Sequence, residues 1–441
     1  MTPLKVRVRG ALKDNRLREA VLKSCQHSVA ARMRTVGELD DFQSDRQRAR
    51  EARERSLDQL DSLLEQFTAQ FTAAGGKIHP ASNGAEACRI IVGILKSHNA
   101  RRGVKSKSMV SEEIELSVAL KAAGIDAVES DLGEFIVQLA GEPPSHITAP
   151  ALHRSRQSIG QLFSQKLGIS YTEDPKELTA FARRHLRERF LSAEFGMSGG
   201  NFLVAETVHI VVVENEGNAR MGLSLPPLFI AITGIEKAIG ALEDLAALLR
   251  LLARSATGQR ASSYVNLLRP SQGDEDGPQE MHLVLLDNGR RRALADPALK
   301  EMLLCIRCGA CLNICPVYQT VGGHAYGSVY PGPMGAILSN LLGEETEEHR
   351  ELPYLSTLCG ACREVCPVGI DLPRMLLELR ARAPKPFKER MAARGWEWAM
   401  SRAPRMEAAS KLMRIVGAIL PGGLPGGWLE SGERSFRDQV K

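Results

Sequence analysis

The chain has 441 residues, of which 44% are hydrophobic and 5% aromatic, and its net charge is +5. That length suits two or three domains, and so weak a charge with so few aromatics argues against a nucleic-acid face, which concentrates Lys and Arg around aromatic side chains. No stretch approaches the ~20 apolar residues that cross a bilayer, and the N-terminus lacks the apolar centre of a secretory signal, so a cytoplasmic chain is expected.

Residues 1–72 read as a helical segment, since 14–72 has no Pro and little Gly. The mixed-sign run Arg46, Arg48, Arg50, Glu51, Arg53, Glu54 and Arg55 predicts a solvated helix face, or an arm docking on a partner. Glu51 and Arg55 stand at i, i+4 and should pair. Leu57, Leu60, Leu63, Leu64, Phe67 and Phe71 then recur at helical spacing, marking a face packed on the next domain. Gly75-Gly76 stops this helix.

Residues 73–292 alternate between the two periodicities. Helices are predicted at 85–98, 112–123, 133–140, 155–167, 175–192 and 236–253. Strands are predicted around Val104 and at 125–129, 146–149, 201–205, 209–213, 228–232 and 281–286. Such alternation predicts an α/β domain with a mostly parallel sheet, whose ligands bind at the carboxyl ends of the strands. Three polar loops fall there. Lys105-Ser106-Lys107-Ser108 leads into a helix capped by Ser111. The loop 196–201, Gly-Met-Ser-Gly-Gly-Asn, offers backbone N–H groups to an anion. Asn215-Glu216-Gly217-Asn218 follows a strand, with Glu206 and Thr207 nearby in sequence. Together Lys105, Lys107, Ser108, Asn201, Glu206, Asn215, Glu216 and Asn218 form a candidate pocket for a carboxylate or phosphate; ordinary turns are the bland alternative.

Residues 293–383 carry the chemistry. Cys305, Cys308, Cys311 and Cys315-Pro316 give C-x-x-C-x-x-C-x-x-x-C-P, the bacterial ferredoxin run. Cys359, Cys362 and Cys366-Pro367 give a second, shorter run. In such pairs the last Cys of each run crosses to the other cluster. Cluster one then takes Cys305, Cys308, Cys311 and Cys366. Cluster two takes Cys315, Cys359 and Cys362, one thiolate short, with Ser356 where the fourth Cys would stand. Two [4Fe-4S] clusters follow, the second completed by Ser356, His324 or solvent, or else left as [3Fe-4S]. Zinc also binds paired C-x-x-C motifs, but seven Cys in two runs, each closed by Cys-Pro, favour iron–sulfur. The remaining Cys25 and Cys88 lie in helical patterns, as buried or idle thiols. Gly322 to Gly327 and Tyr330 to Pro333 predict irregular backbone shielding the clusters. A helix is predicted at 372–383. The basic tail, 384–441, holds Trp396, Trp398 and Trp428; its apolar stretch 412–420 is too short to span a membrane. It is read as a helix on the protein, or as a dock for an electron acceptor or for the inner face of the membrane.

With these motifs laid out, residues 60–383 resemble the bacterial lactate-utilisation iron–sulfur proteins, the B subunits of three-protein L-lactate oxidising systems. Lys105 to Met109, Asp131 to Glu134, Pro144 to Ile147, Asn201-Phe202, Ala205 to Thr207, Asn215 to Asn218, Gly234 to Lys237, Ser255 to Gly258, both Cys runs and Gly322 to Gly327 carry the likeness. The resemblance implies a lactate-utilisation α/β domain, similar to sugar isomerases and CoA transferases, followed by an α-helical two-cluster ferredoxin-like domain. It implies two [4Fe-4S] clusters, Ser at 356 as a feature of the family, and partner subunits that share the oxidation of lactate to pyruvate. Val208 departs from the Gly expected after Ala-Glu-Thr and is placed in a strand. The implied role is electron transfer. The rivals are an enzyme that polarises a hydroxy acid at the open iron of the three-Cys cluster, and a non-enzymatic iron–sulfur sensor or scaffold.

Overall fold

The computed structural model describes residues 3–270, 277–343, 346–384 and 387–409. The described residues up to Ala381 make one compact unit and those from Arg382 onward a second. Ten strands are present among the described residues of the first: β1 Lys77–Ala81, β2 Arg102–Lys105, β3 Asp126–Glu129, β4 Phe195–Gly199, β5 Phe202–Val204, β6 His209–Glu214, β7 Leu228–Gly234, β8 Ala238–Ile239, β9 Tyr264–Leu268 and β10 Glu280–Leu286. Six form an all-parallel sheet in the order β1-β10-β7-β4-β2-β3. The central β7 is buried at every position, as expected of a parallel strand covered on both faces. A second sheet, β8-β5-β6-β9, is mixed and grows from the carboxyl end of β4.

Several predicted elements shift. The loop 196–201 is mostly strand: Phe195–Gly199 is β4, and only Gly199, Gly200 and Asn201 lie at its carboxyl end. Gly196 is there for packing, because a Cβ on it would meet Gly222 O at 1.7 Å. Residues 146–149 are not a strand but a tight loop, in which His146 Nδ1 accepts from the N–H of Thr148 at 3.1 Å and of Ala149 at 3.2 Å. The helix predicted at 236–253 begins only at Leu242, after a 3-10 turn and β8. The helix predicted at 112–123 breaks at Glu115, whose φ is 53°. Val208 lies in a turn, not a strand, at φ 59°, a backbone region that β-branched residues avoid and Gly enters freely.

The N-terminal helices belong to the same unit. Leu57, Leu60, Leu63, Leu64, Phe67 and Phe71 are all buried as predicted, and Phe67 and Phe71 join Phe229 and Leu283 of the large sheet in one core. The Arg-rich helix Phe42–Asp58 is a solvated face only in part: Arg48, Glu51 and Arg55 are exposed, while Arg46, Arg50 and Arg53 turn to the protein. Arg53 is fully buried and donates to the carbonyls of Glu236 (2.5 Å), Leu303 (2.9 Å) and Ala238 (3.3 Å). Arg50 reaches Glu301 at 2.9 Å and Gly369 O at 2.9 Å, and Arg46 donates to Arg363 O at 2.7 Å. The arm therefore docks on the chain's own cysteine region. The Glu51–Arg55 pair does not form: Arg55 pairs with Asp244, and Glu51 accepts from Gln47. The pair made at i, i+4 is Arg50–Glu54. In the second unit Phe387–Met400 is a helix with Trp396 and Trp398 more than half exposed. Trp428 and 412–420 lie outside the described residues. No described helix is long and apolar enough to cross a membrane.

Candidate functional site

Both cysteine runs fold into the same local shape. Arg307 and Gly309 take φ of 60° and 78°, and the short helix Ala310–Asn313 follows. Leu358 and Gly360 repeat this at 56° and 87°, ahead of Ala361–Glu364. Two left-handed residues bracketing one Cys wrap the chain tightly and turn N–H groups inward, the backbone a thiolate cluster needs. Arg307 N–H reaches Cys305 Sγ at 3.4 Å, and Ile370 N–H reaches Cys366 Sγ at 3.4 Å.

The chain crosses between the runs. Cys305, Cys308, Cys311 and Cys366 line one cavity. Burial, then the neighbouring Cys366 and Cys305, pushes the Cys308 thiol up to about 12. Burial foremost pushes Cys366 to about 11, and burial with the other cysteines lifts Cys311 well up. In the other group, burial and then Cys315 and Cys359 push Cys362 to about 12. Cys359 is exposed, and its thiol is held below its ordinary value, chiefly by the Ala361 N–H. Buried thiols that converge and repel one another's ionisation suit a cationic core, which binds them as thiolates. The residues present therefore fit iron–sulfur clusters.

Of the other candidates, His324 is engaged elsewhere: Nε2 meets Pro143 O at 2.8 Å and the ring packs edge-on against His153. Cys25 and Cys88 are both buried. Cys25 lies near Cys315, and its thiol is raised to about 12, first by burial and then by that neighbour.

Cations surround the first group. Arg53 and Arg307 feel Cys305, and Arg32 feels Cys308 and Cys366. Lys237 Nζ donates to Cys305 O at 2.8 Å; burial, then Arg307, lowers its pKa to about 7.

A cavity of about 300 Å³ opens where the strands' carboxyl ends meet the first Cys run. Its wall holds six of the eight predicted pocket residues: Lys107, Ser108, Asn201, Asn215, Glu216 and Asn218. Lys105 and Glu206 are not among them. Lys105 is buried against Glu129 (2.6 Å), Glu112 (3.2 Å) and Ser111 (3.0 Å), an internal ion pair. Glu206 accepts from Leu242 N–H at the start of a helix. Lys107 is different. Its Nζ is buried, has no hydrogen-bond partner among the described residues, and lies 3.8 Å from Glu134 Oε1. Burial lowers its pKa, and burial raises those of Glu134 and Glu216. Lys107 thus has one carboxylate at ion-pair distance but no hydrogen bond to Nζ, which leaves donor capacity for a ligand in the cavity.

Sequence reasoning missed Lys237 and Arg307, which also line this cavity. The motif Gly234 to Lys237 carried the first signal; the second lay hidden inside the Cys run. Ile306 and Arg307 are cavity wall, and no residue of the second run is. The cavity thus adjoins the first cysteine group rather than the three-Cys group.

Comparisons with known proteins agree with this layout. The LUD domain family model matches residues 64–286, and the 4Fe-4S dicluster domain model matches 301–370. "Lactate utilization protein B" of Bacillus cytotoxicus is 43% identical over 416 residues, 93% of this chain and 88% of its own. The protein of that name from Bacillus thuringiensis is 42% identical over 412 residues, 92% of this chain and 87% of its own. A solved structure of a DUF162 family protein from Deinococcus radiodurans covers 52% of this chain and 98% of its own at 13% identity, with a TM-score of 0.29.

Proposed function

Because the chain belongs to the Lactate utilization protein B family, we propose that it is the iron–sulfur electron-transfer subunit of a multi-protein system oxidising L-lactate to pyruvate. Cys305, Cys308, Cys311 and Cys366 hold cluster one; Cys315, Cys359 and Cys362 hold cluster two. Clusters accept electrons singly, so a partner subunit that handles the two-electron step feeds them. The domain limits 1–72, 73–292, 293–383 and 384–441 belong to this proposal, as does a role for the tail in meeting an electron acceptor or the membrane surface.

The observation that carries the reading is the shared wall. The cavity whose wall holds Lys107, with no hydrogen bond to its Nζ, includes Arg307, which sits between Cys305 and Cys308. An anion held by Lys107 would lie beside cluster one. The same observation favours a second reading, in which this chain itself binds the hydroxy acid at that cavity. On it, Lys107 and Arg307 pair with the carboxylate as charge-assisted donors.

EPR on anaerobic, cluster-loaded protein separates the two. Reduction by dithionite, but by L-lactate only with partners present, supports the electron carrier. Reduction by L-lactate alone moves the oxidation onto this chain. Clusters that never turn over with lactate, even with every partner, refute both and leave a sensor. Cys308→Ser should remove one cluster's signal and Cys359→Ser the other's. Loss of both signals together in a folded variant would refute the crossed assignment.

A further inference from the structure

Cluster two, as proposed above, is short of one protein ligand, and this inference rests on that reading. We infer that Ser356 supplies it through Oγ. The two runs align in register as a repeat: Arg307, Cys308, Gly309, Cys311 and Cys315 correspond to Leu358, Cys359, Gly360, Cys362 and Cys366, and a short helix follows at the same place in each. The left-handed pair recurs at the same two places, with φ of 60° and 78° against 56° and 87°. Cys305 then corresponds to Ser356.

The decisive detail is one hydrogen bond. In the first run the Arg307 N–H points at Cys305 Sγ, at 3.4 Å. In the second, the Leu358 N–H points at Ser356 Oγ, at 3.1 Å. The same backbone donor meets the same side-chain position, so Oγ stands where a ligand sulfur stands in the other half. The carbonyl of Ser356 is fixed as well, accepting from Arg380 at 2.8 Å, so the residue is held from both sides. The rivals lack this placement. His324 is turned to Pro143 O, and Cys25 approaches from a separate helix, Asn15–Val36, which the repeat does not include.

Chemistry follows from the exchange of sulfur for oxygen. A serine oxygen must lose its proton to bind iron, and the inward N–H lightens that loss by donating to the anion. A hard alkoxide matches soft iron–sulfur iron poorly, and it holds the oxidised state better than a thiolate does. Cluster one has four thiolates and lies near Arg32, Arg53 and Arg307, cations that favour the added electron. The inference therefore orders the pair: cluster one lies above cluster two in potential. A single electron rests on cluster one, beside the cavity.

The test uses full-length, anaerobically reconstituted protein and its Ser356→Cys, Ser356→Ala and Cys25→Ala variants. Readouts are iron content, EPR and potentiometry, with the cluster-one signal as the control for folding. Ser356→Cys should raise the potential of cluster two alone. Ser356→Ala should lower iron from about eight to about seven per chain and give an oxidised three-iron signal. Cys25→Ala should change neither. The inference is overturned if Ser356→Ala keeps a four-iron cluster at an unchanged potential. It is equally overturned if Cys25→Ala, and not Ser356→Ala, yields the three-iron signal. Wild-type protein holding only one cluster would instead refute the two-cluster reading beneath it.

Discussion

Replacing Arg290 with Met should destabilise the first unit by about 3–5 kcal/mol, the usual effect of removing one partner from a buried ion pair. Arg290 has no exposed side-chain surface. It holds Glu113 with both terminal nitrogens, at 2.8 and 2.9 Å, and Glu236 through Nε at 2.5 Å. Asn288 and Tyr330 also donate to Glu113, both at 2.7 Å, so the network joins the α/β layers to the cysteine region. Met fills much of the volume, so the loss comes from Glu113, left without a cation, and from Glu236, left with only its longer contacts to Arg307 (3.5 Å) and Lys237 (3.9 Å), rather than from a void. For a cooperative unit this large, about 1–2 °C of midpoint accompanies each kcal/mol, by the scaling of unfolding entropy with length. A drop of about 5 °C is then expected at pH 7.

The pH dependence makes that prediction specific. In the wild type, burial works to raise both carboxyls, but Arg290 outweighs it jointly with Lys237 and Arg307 at Glu236 and with Asn288 and Tyr330 at Glu113. Glu236 falls to about 2, and Glu113 falls below its ordinary value. Their stabilisation is complete above the ordinary glutamate pKa of about 4.3 and is lost as pH falls toward 2. In Arg290→Met burial is opposed only by the Asn288 and Tyr330 hydrogen bonds at Glu113 and by Arg307 and Lys237 at Glu236, so both carboxyls rise, Glu113 further because it keeps no cation. The variant then gains stability as pH falls from 7 toward 5, where the wild type still keeps its own. Thermal unfolding followed by circular dichroism at one scan rate should show the gap widest at pH 7 and narrowing toward pH 5. A gap that is constant with pH, or smaller than about 1 kcal/mol at pH 7, would refute the stranded-charge reasoning.

The two lysines of one loop should differ in what their loss affects most. Lys105→Met strands the buried Glu129 and should lower stability by about 3 kcal/mol, seen as a lower thermal midpoint. Lys107→Met should lower the midpoint less than Lys105→Met, since its contact with Glu134 is longer at 3.8 Å, yet weaken binding of a hydroxy acid or similar carboxylate more than about tenfold by calorimetry; unchanged affinity would remove Lys107 from the site. Gly196→Ala drives a Cβ onto the Gly222 backbone and should cost about 3 kcal/mol, and wild-type unfolding would show that β4 is packed otherwise. Val208→Gly pits about 1–2 kcal/mol of relieved left-handed strain against the lost burial of a Val and added chain entropy. Since Val208 is only 9% exposed, burial should win, and a higher midpoint for the Gly variant would reverse that ranking.

Much of the fold was legible because its signals are local. Alternating apolar runs marked the parallel sheet, and Leu57 to Phe71 marked a packed face. Asn201, Asn215, Glu216 and Asn218 were legible as pocket residues because polar loops after strands gather at one edge. Composition misled at 196–201, where glycine-rich sequence suggested a loop and close packing on Gly222 made a strand. It misled again at Arg46 to Arg55, because a charged helix reads alike whether water or carbonyl oxygens receive its guanidinium groups.

By itself the sequence determined the Cys spacing, the crossed pairing it predicts and the missing eighth Cys, all features set within a few residues of backbone. Only the tertiary structure decided that Lys105 turns inward while Lys107 lines the cavity, that Arg53 is fully buried, and that the Leu358 N–H reaches Ser356 Oγ as the Arg307 N–H reaches Cys305 Sγ. It alone set the cavity against the first Cys run rather than the second. Those outcomes depend on which distant segments supply the acceptors, and short-range spacing carries no record of what lies across a packed interface.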